Sequence, residues 1–170
     1  MNDSQHLSSQ FDEDLTRLRT SVLQMGGLVE TQISAAIDAY SRGEVASVKH
    51  IVETDRNVND LELAIDEDCA HLIAKRQPAA SDLRLVFGIS KIVTDLERAG
   101  AEAKKIAKGV RRSYEAGQMP SQYGIGVRHI AEAALSMLRQ ALDAFARLDT
   151  ELAVKVIQAD ANVDTEFKSI

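Results

Sequence analysis

The sequence predicts an all-α protein: tandem three-helix bundles, with the second bundle incomplete. Three observations carry this. Apolar residues make up 45% of the 170-residue chain, but only 4% is aromatic, so the core must be built from Leu, Ile, Val, Ala and Met, the side chains of helical bundles. Two prolines and nine glycines leave room for long, rarely broken helices. The chain also repeats itself. A shift of 105 residues without a gap lays Ala36-Ile-Asp-Ala-Tyr-Ser-Arg42 on Ala141-Leu-Asp-Ala-Phe-Ala-Arg147, and Asp55-Arg-Asn-Val-Asn59 on Asp160-Ala-Asn-Val-Asp164. Helices four and five thus replay helices one and two, and a repeat unit of three helices follows. The units are expected at residues 8–116 and 124–170, the second lacking its third helix and so needing cover from the first bundle or from another chain, which favours self-association.

Each helix follows from a period of three and four. The first, capped by Ser8 or Ser9 after a frayed start, carries Phe11, Leu15, Leu18, Val22, Met25, Val29 and Ile33 on one face. Gly26-Gly27 interrupts it and marks either a bend or a close helix–helix approach. Arg42-Gly43 ends it. The second starts at Glu44 with the stripe Val48, Ile51, Val58, Leu61, Ile65, Cys69, Leu72, and stops before Pro78. The third opens on Pro78, whose fixed φ suits a first turn, with Ser81 and Asp82 as acceptors for free amides. Its stripe is Leu83, Val86, Ile89, Val93, Leu96, Gly100, Ala103, Ile106, reaching to about Glu115. The fourth spans about Gly124 to Leu148, and the fifth begins near Asp149 or Thr150 and runs to Ile170.

Composition excludes several roles. A net charge of −6 with both signs interspersed argues against a general nucleic-acid binder. The basic run Lys104-Lys105, Lys108, Arg111-Arg112 falls near the end of the third helix, where it complements the helix dipole. The single cysteine, Cys69, lies on an apolar stripe and reads as a buried, inert thiol. No apolar run approaches the ~18–20 residues of a membrane span, which places the chain in the cytoplasm. No nucleophile stands beside a base, and there is no glycine-rich phosphate loop or Cys/His cluster. His6, His50, His71 and His129 are scattered as surface residues, and Tyr114 and Tyr123 read as packing anchors around the loop after helix three.

Oxygen ligands recur on helical faces. Asp55, Asn59 and Glu62 stand at steps of four and three, and Asp160-x-x-x-Asp164 replays the first pair. Two such pairs on facing helices can clamp a hard cation such as Mg²⁺, Mn²⁺, Ca²⁺ or iron. The same spacing also arises in any solvated charged helix, so both readings stand. Arg76, Asp82, Arg84 and Arg98 read either as an ion network pinning the turn between helices two and three or as a partner-docking face, since Arg recognises carboxylates and phosphates bidentately.

Arg76-Gln-Pro-Ala-Ala-Ser-Asp82-Leu-Arg84, followed by Asp95-Leu-Glu97-Arg98-Ala-Gly100, resembles the signature of the PhoU family of bacterial phosphate-transport accessory and regulatory proteins; Gly26-Gly-Leu-Val-Glu30, Ala64-Ile-Asp-Glu67 and Ala141-Leu-Asp-Ala-Phe-Ala-Arg147 fit it too. The resemblance implies two tandem three-helix bundles and acidic surface motifs that bind metal clusters in some members. It implies a non-enzymatic role: restraint of the phosphate-responsive two-component system through contact with the ATPase subunit of the phosphate ABC transporter and with the sensor histidine kinase, at the inner membrane by way of those partners; a homodimer is expected from the uncovered second unit. The metal ligands expected from the spacing and the resemblance together are Asp55, Asn59, Glu62, Glu97, Asp160 and Asp164, with Mn, Mg or Fe as the cation. The chain departs from the pattern in two places. Ala101 stands where the family has Asp, and a methyl group cannot ligate, which leaves Glu97 alone on its helix and the first site weakened. The helix that would carry the second Glu-Arg-x-Gly-Asp copy is missing. Beside the adaptor role, a bundle whose bound cation is itself the function remains the alternative, and a metal-dependent hydrolase is a distant third.

Overall fold

In a computed structural model the described residues are 3–76, 78–118 and 124–168, with the side chains of 3–9, 76, 124 and 125 outside the description. Five helices follow in order: α1 Asp3–Arg42, α2 Ser47–Arg76, α3 Ala80–Glu115, α4 Gly124–Arg147 and α5 Thr150–Phe167. The first three form a three-helix bundle; α4 lies on α1, and α5 on α4.

The apolar stripes read from the sequence become the bundle core. Leu18, Val22, Met25 and Val29 of α1, Val58, Ile65, Cys69 and Leu72 of α2, and Val86, Ile89, Val93 and Leu96 of α3 make one buried cluster. A second cluster, Ala36, Val48, Ile51, Ala103 and Ala107, fills the end of the bundle nearest the α1–α2 turn. Alanines there draw the helices close, and the low aromatic content is met by interlocked aliphatic side chains.

Several boundaries differ from expectation. α1 begins at Asp3, ahead of Ser8. α2 begins at Ser47, because Gly43 turns the chain with φ 68° and residues 44–46 form a turn, closed by Ser47 Oγ donating to the Glu44 carbonyl (3.0 Å). Pro78 stands ahead of α3, whose N-cap is Ala79 with no side-chain cap bond. Neither Ser81 nor Asp82 caps it. α4 stops at Arg147, and Leu148 takes the left-handed conformation (φ 54°). Asp149 then caps α5, its Oδ1 accepting from the Leu152 amide (2.9 Å), as expected. Ile106 is half exposed, the burial having moved to Ala107 and Val110. Tyr114 is also mostly exposed and anchors nothing, while Tyr123 and Ile170 lie outside the described residues.

α1 runs through Gly26-Gly27 as one helix, so close approach, the second of the two readings, applies. A Cβ placed on Gly26 would stand 2.5 and 2.7 Å from the two Leu142 δ-carbons. Two polar ties flank this contact: Arg19 Nη2 donates to the Ala146 carbonyl (2.8 Å) and Arg139 Nε to Glu30 Oε1 (2.6 Å). The helices cross antiparallel, and under the 105-residue shift the pair Gly26·Leu142 maps onto Ala131·Ile37. Those two residues line one apolar groove with Tyr40 of α1 and Ile106 of α3. The repeat thus sets equivalent residues along the α1·α4 crossing, Gly26 and Leu142 in contact and Ile37 and Ala131 along the groove.

Candidate functional site

A charged polar face lies along the α2–α3 seam. Asp55, Asn59, Glu62 and Asp66 stand at steps of four, three and four on α2, which turns them to one side. On α3, Glu97, Ala101 and Lys104 do the same. The helices run antiparallel, and two contacts fix their register, with Glu62 and Glu97 close enough between them to repel. Ser90 Oγ donates to Asp66 Oδ1 (2.8 Å), and Lys104 Nζ donates to Asp55 Oδ2 (2.5 Å). In that register Asn59 and Ala101 fall between the pair Glu62 and Glu97 and the pair Asp55 and Lys104.

Each position has a different electrostatic condition. Asp55 is 4% exposed, and Lys104 reaches it with a quarter of its own side chain in solvent. Glu62 is half-buried, and its carboxyl is pushed up from the ordinary Glu value of 4.5, first by desolvation, then by repulsion from Glu97 and Asp66. Asn59 is exposed and neutral. Behind the seam, Gln32 is fully buried; its Nε2 donates to the Ile51 carbonyl (3.2 Å), and its Oε1 has no partner among the described residues. Gly100 makes room for it, since a Cβ there would lie 2.7 Å from Gln32 Oε1.

The expected ligands are only partly brought together. Asp55, Asn59, Glu62 and Glu97 share the seam. Asp160 and Asp164 sit on α5, both exposed, and form a separate pair. The donor set does not fit a metal cluster at the first site: the Asp55 carboxylate is engaged by an ammonium, Asn59 brings no charge, and Ala101 brings no oxygen. Among the described residues, no three His, Cys, Asp or Glu are disposed to hold a metal ion. Sequence reasoning missed Lys104, assigning it to the helix dipole. Half of the signal was there, because Glu97, Ala101 and Lys104 are spaced i, i+4, i+7 and share one face of α3; that this face looks at α2 came from the structure. Asp66 with Ser90 and the buried Gln32 also went unread.

The proposed ion network does not assemble as one. Arg98 turns to Asp95 on its own helix (3.3 Å, both exposed). It stands fourteen residues beyond Arg84, about 21 Å along the axis. Asp82 is half-buried and Arg84 exposed at the start of α3, and the Arg76 side chain lies outside the described residues. His50, His71 and His129 are exposed as expected, His129 lying 3.5 Å from Glu166 of α5.

Fold and seam together define a helical repeat scaffold: long packed helices, a charged lateral face, and no helix among the described residues long and apolar enough to cross a membrane. The PhoU domain family model matches residues 22–110 and 127–170, and the chain belongs to the PhoU family. It is 46% identical over 164 residues to the phosphate-specific transport system accessory protein PhoU homolog of Pseudomonas putida, covering 96% of this chain and 64% of the relative. It is 42% identical over 170 residues to the phosphate-specific transport system accessory protein PhoU of Escherichia coli K12, covering all of this chain and 70% of the relative. The chain thus spans about two thirds of the length of these curated relatives. The crystal structure of PhoU from Pseudomonas aeruginosa superposes with a TM-score of 0.89 at 45% identity, covering 94% of this chain and 76% of that one. The phosphate transport system regulatory protein PhoU from Streptococcus pneumoniae gives 0.83 at 31% identity, covering 94% and 74%.

Proposed function

We propose that the chain acts as a regulatory adaptor of phosphate uptake: a non-catalytic helical scaffold that docks on the ATPase subunit of a phosphate ABC transporter and on the phosphate-sensing histidine kinase, and dampens signalling when phosphate is plentiful. The observation that carries this is the match of nearly the whole chain to phosphate-specific transport system accessory proteins. The scaffold suits the role, with its exposed surface carried on rigid helices. The protein works in the cytoplasm and reaches the inner membrane through its partners, as a homodimer and without nucleic acid. Its docking face is the turn between α2 and α3, with Arg76, Asp82 and the exposed Arg84; Arg98, farther along α3, makes a separate contact. Such rim charges act chiefly on the association rate and its salt dependence.

The alternative, a bundle whose cation is the function, is disfavoured at the first repeat by the Asp55–Lys104 pair. Binding of the chain to the purified ATPase subunit and to the kinase cytoplasmic region, with and without EDTA, separates the two. The adaptor reading expects binding that survives chelation, weakens with salt, and weakens further in Arg84→Ala at unchanged melting temperature. Binding to neither partner, or only in the presence of metal, overturns it.

A further inference from the structure

The metal ligation expected of the acidic seam and the geometry of that seam disagree, and the disagreement identifies what holds it together. Asp55 is the one carboxylate buried among the described residues. A carboxylate in such surroundings needs an opposite charge and hydrogen bonds to remain ionised. A metal ion bound to its oxygens would sit some 2.0–2.6 Å away. The same space is filled from the chain itself, because Lys104 Nζ stands 2.5 Å from Oδ2. Two cations cannot share one monovalent oxygen pair without strong repulsion.

Lys104 comes from the same face of α3 as Glu97 and Ala101, so its stem crosses the seam in register with α2 rather than approaching from a distant loop. Ala101 removes a negative oxygen from this face and Lys104 adds a positive group, so the two residues shift the seam's charge in one direction. Asn59, in the register gap opposite, is neutral. We propose that Lys104 is a built-in counter-ion that takes the place of a metal at Asp55, so that the first repeat of this chain clamps α2 to α3 with an ammonium and is metal-independent.

The test is metal titration and thermal unfolding of the full chain, its Lys104→Met and Asp55→Asn variants, and the double variant Ala101→Asp/Lys104→Gln. The parent is expected to melt at the same temperature in millimolar Mn²⁺ and in EDTA, and to take up no more Mn²⁺ than Asp55→Asn does. Lys104→Met is expected to raise the unfolding equilibrium constant about tenfold or more, through the buried charge left without a partner, and the double variant to acquire Mn²⁺-dependent stabilisation at least tenfold stronger than the parent's. A readout on the folded parent alone guards against variants that fail to fold: the Lys104 ammonium, protected by its hydrogen bond to Asp55, should give a side-chain ¹H–¹⁵N signal that persists in excess Mg²⁺. Stoichiometric Mn²⁺ binding by the parent that Asp55→Asn abolishes, displacement of the ammonium signal by Mg²⁺, or a Lys104→Met chain as stable as the parent would each overturn the proposal.

Discussion

Gly26 and Gly27 are neighbours in sequence and opposites in environment, which makes them a controlled pair. Both sit inside α1, so replacing either with Ala should gain about 1 kcal/mol of helix propensity. At Gly27 nothing lies within 4 Å of the added methyl group, and the full gain should appear. At Gly26 the methyl group would meet Leu142 Cδ2 at 2.5 Å, Cδ1 at 2.7 Å and Cγ at 3.2 Å. Only rotation about χ1 moves both δ-carbons and the branch carbon together, and it would swing the whole side chain out of its packing. Leu142 is packed against the main core cluster, so α4 must shift. Overpacking of this kind costs roughly 1–3 kcal/mol. Set against the propensity gain, Gly26→Ala should destabilise by about 0–2 kcal/mol, leaving the two variants about 1–3 kcal/mol apart.

Urea unfolding followed by far-ultraviolet circular dichroism measures both, and hydrogen exchange in α4 shows where Gly26→Ala acts. The α1·α4 contact predicts faster exchange across residues 135–147, with the three-helix core unchanged. The cycle with Leu142→Ala closes the argument: once the leucine is gone, Gly26→Ala should become neutral or stabilising, as Gly27→Ala is. If Gly26→Ala and Gly27→Ala prove equally stabilising in the parent, the close approach of α4 to α1 at this point is wrong.

Three further outcomes follow. Leu148→Gly should stabilise by about 0.5–1 kcal/mol in the same urea assay, because Leu148 holds φ 54° while 56% exposed, a conformation in which L side chains are strained; an unchanged midpoint would deny the strain. Cys69 is buried and its thiol is pushed up to about 11 from 9.0, by burial first and then by Asp66 and Asp68, so a thiol reagent should label it slowly in the native chain and rapidly in urea. With the folded value above the unfolded one, that thiol's contribution to stability is complete below about pH 9 and is lost as pH rises toward 11. Glu62 is raised for similar reasons, so its contribution is complete below its ordinary value and is lost as pH rises above it. Glu62→Gln should therefore stabilise the chain at neutral pH and lose its advantage in acid, and a pH-independent difference would contradict the raised carboxyl that burial, with repulsion from Glu97 and Asp66, produces.

What the sequence made legible is what one helix determines alone. The stripes Leu18-Val22-Met25-Val29 and Val86-Ile89-Val93-Leu96 are buried as a 3.6-residue period requires. Where the period is ambiguous, it misled. Both Ile106 and Ala107 follow Ala103 at helical spacing, and packing chose the smaller, because this end of the bundle brings α1 and α3 close through Ala36, Ala103 and Ala107. The start of α2 moved by a few residues because the turn after Gly43 uses Ser47 to close on Glu44, a local bond that propensity does not rank. At the seam, the α2 acids were readable as a face, but their partners were not. The register between antiparallel helices is set by packing across the interface, and nothing in the spacing of Asp55, Asn59 and Glu62 says which residue of α3 stands opposite. Gly26 announced a close approach in the same way, without naming Leu142.

The repeat shows how the same position takes different physical roles once its surroundings differ. Gly43 and Leu148 are equivalent under the 105-residue shift, and both adopt a left-handed backbone after an arginine. The second repeat keeps the conformation without the residue best suited to it. The Schellman-type bonds explain how: the Asp149 amide donates to the Ala144 carbonyl at 2.9 Å and the Leu148 amide to the Phe145 carbonyl at 3.3 Å, so the helix end is held by backbone satisfaction. Asp55 and Asp160 are likewise equivalent, yet Asp55 is buried against Lys104 while Asp160 is exposed on α5. The carboxylate is common to both repeats, and what decides its chemistry is the helix laid across it. In the first repeat α3 supplies an ammonium and a methyl group at the positions facing Asp55 and Asn59, which makes that face a structural ion pair. Asp160 and Asp164 carry two negative charges one turn apart in solvent, with Lys168 one turn further on, so Mn²⁺ titration is expected to show any uptake by the chain falling when Asp160 and Asp164 are replaced by Asn and unchanged in Asp55→Asn.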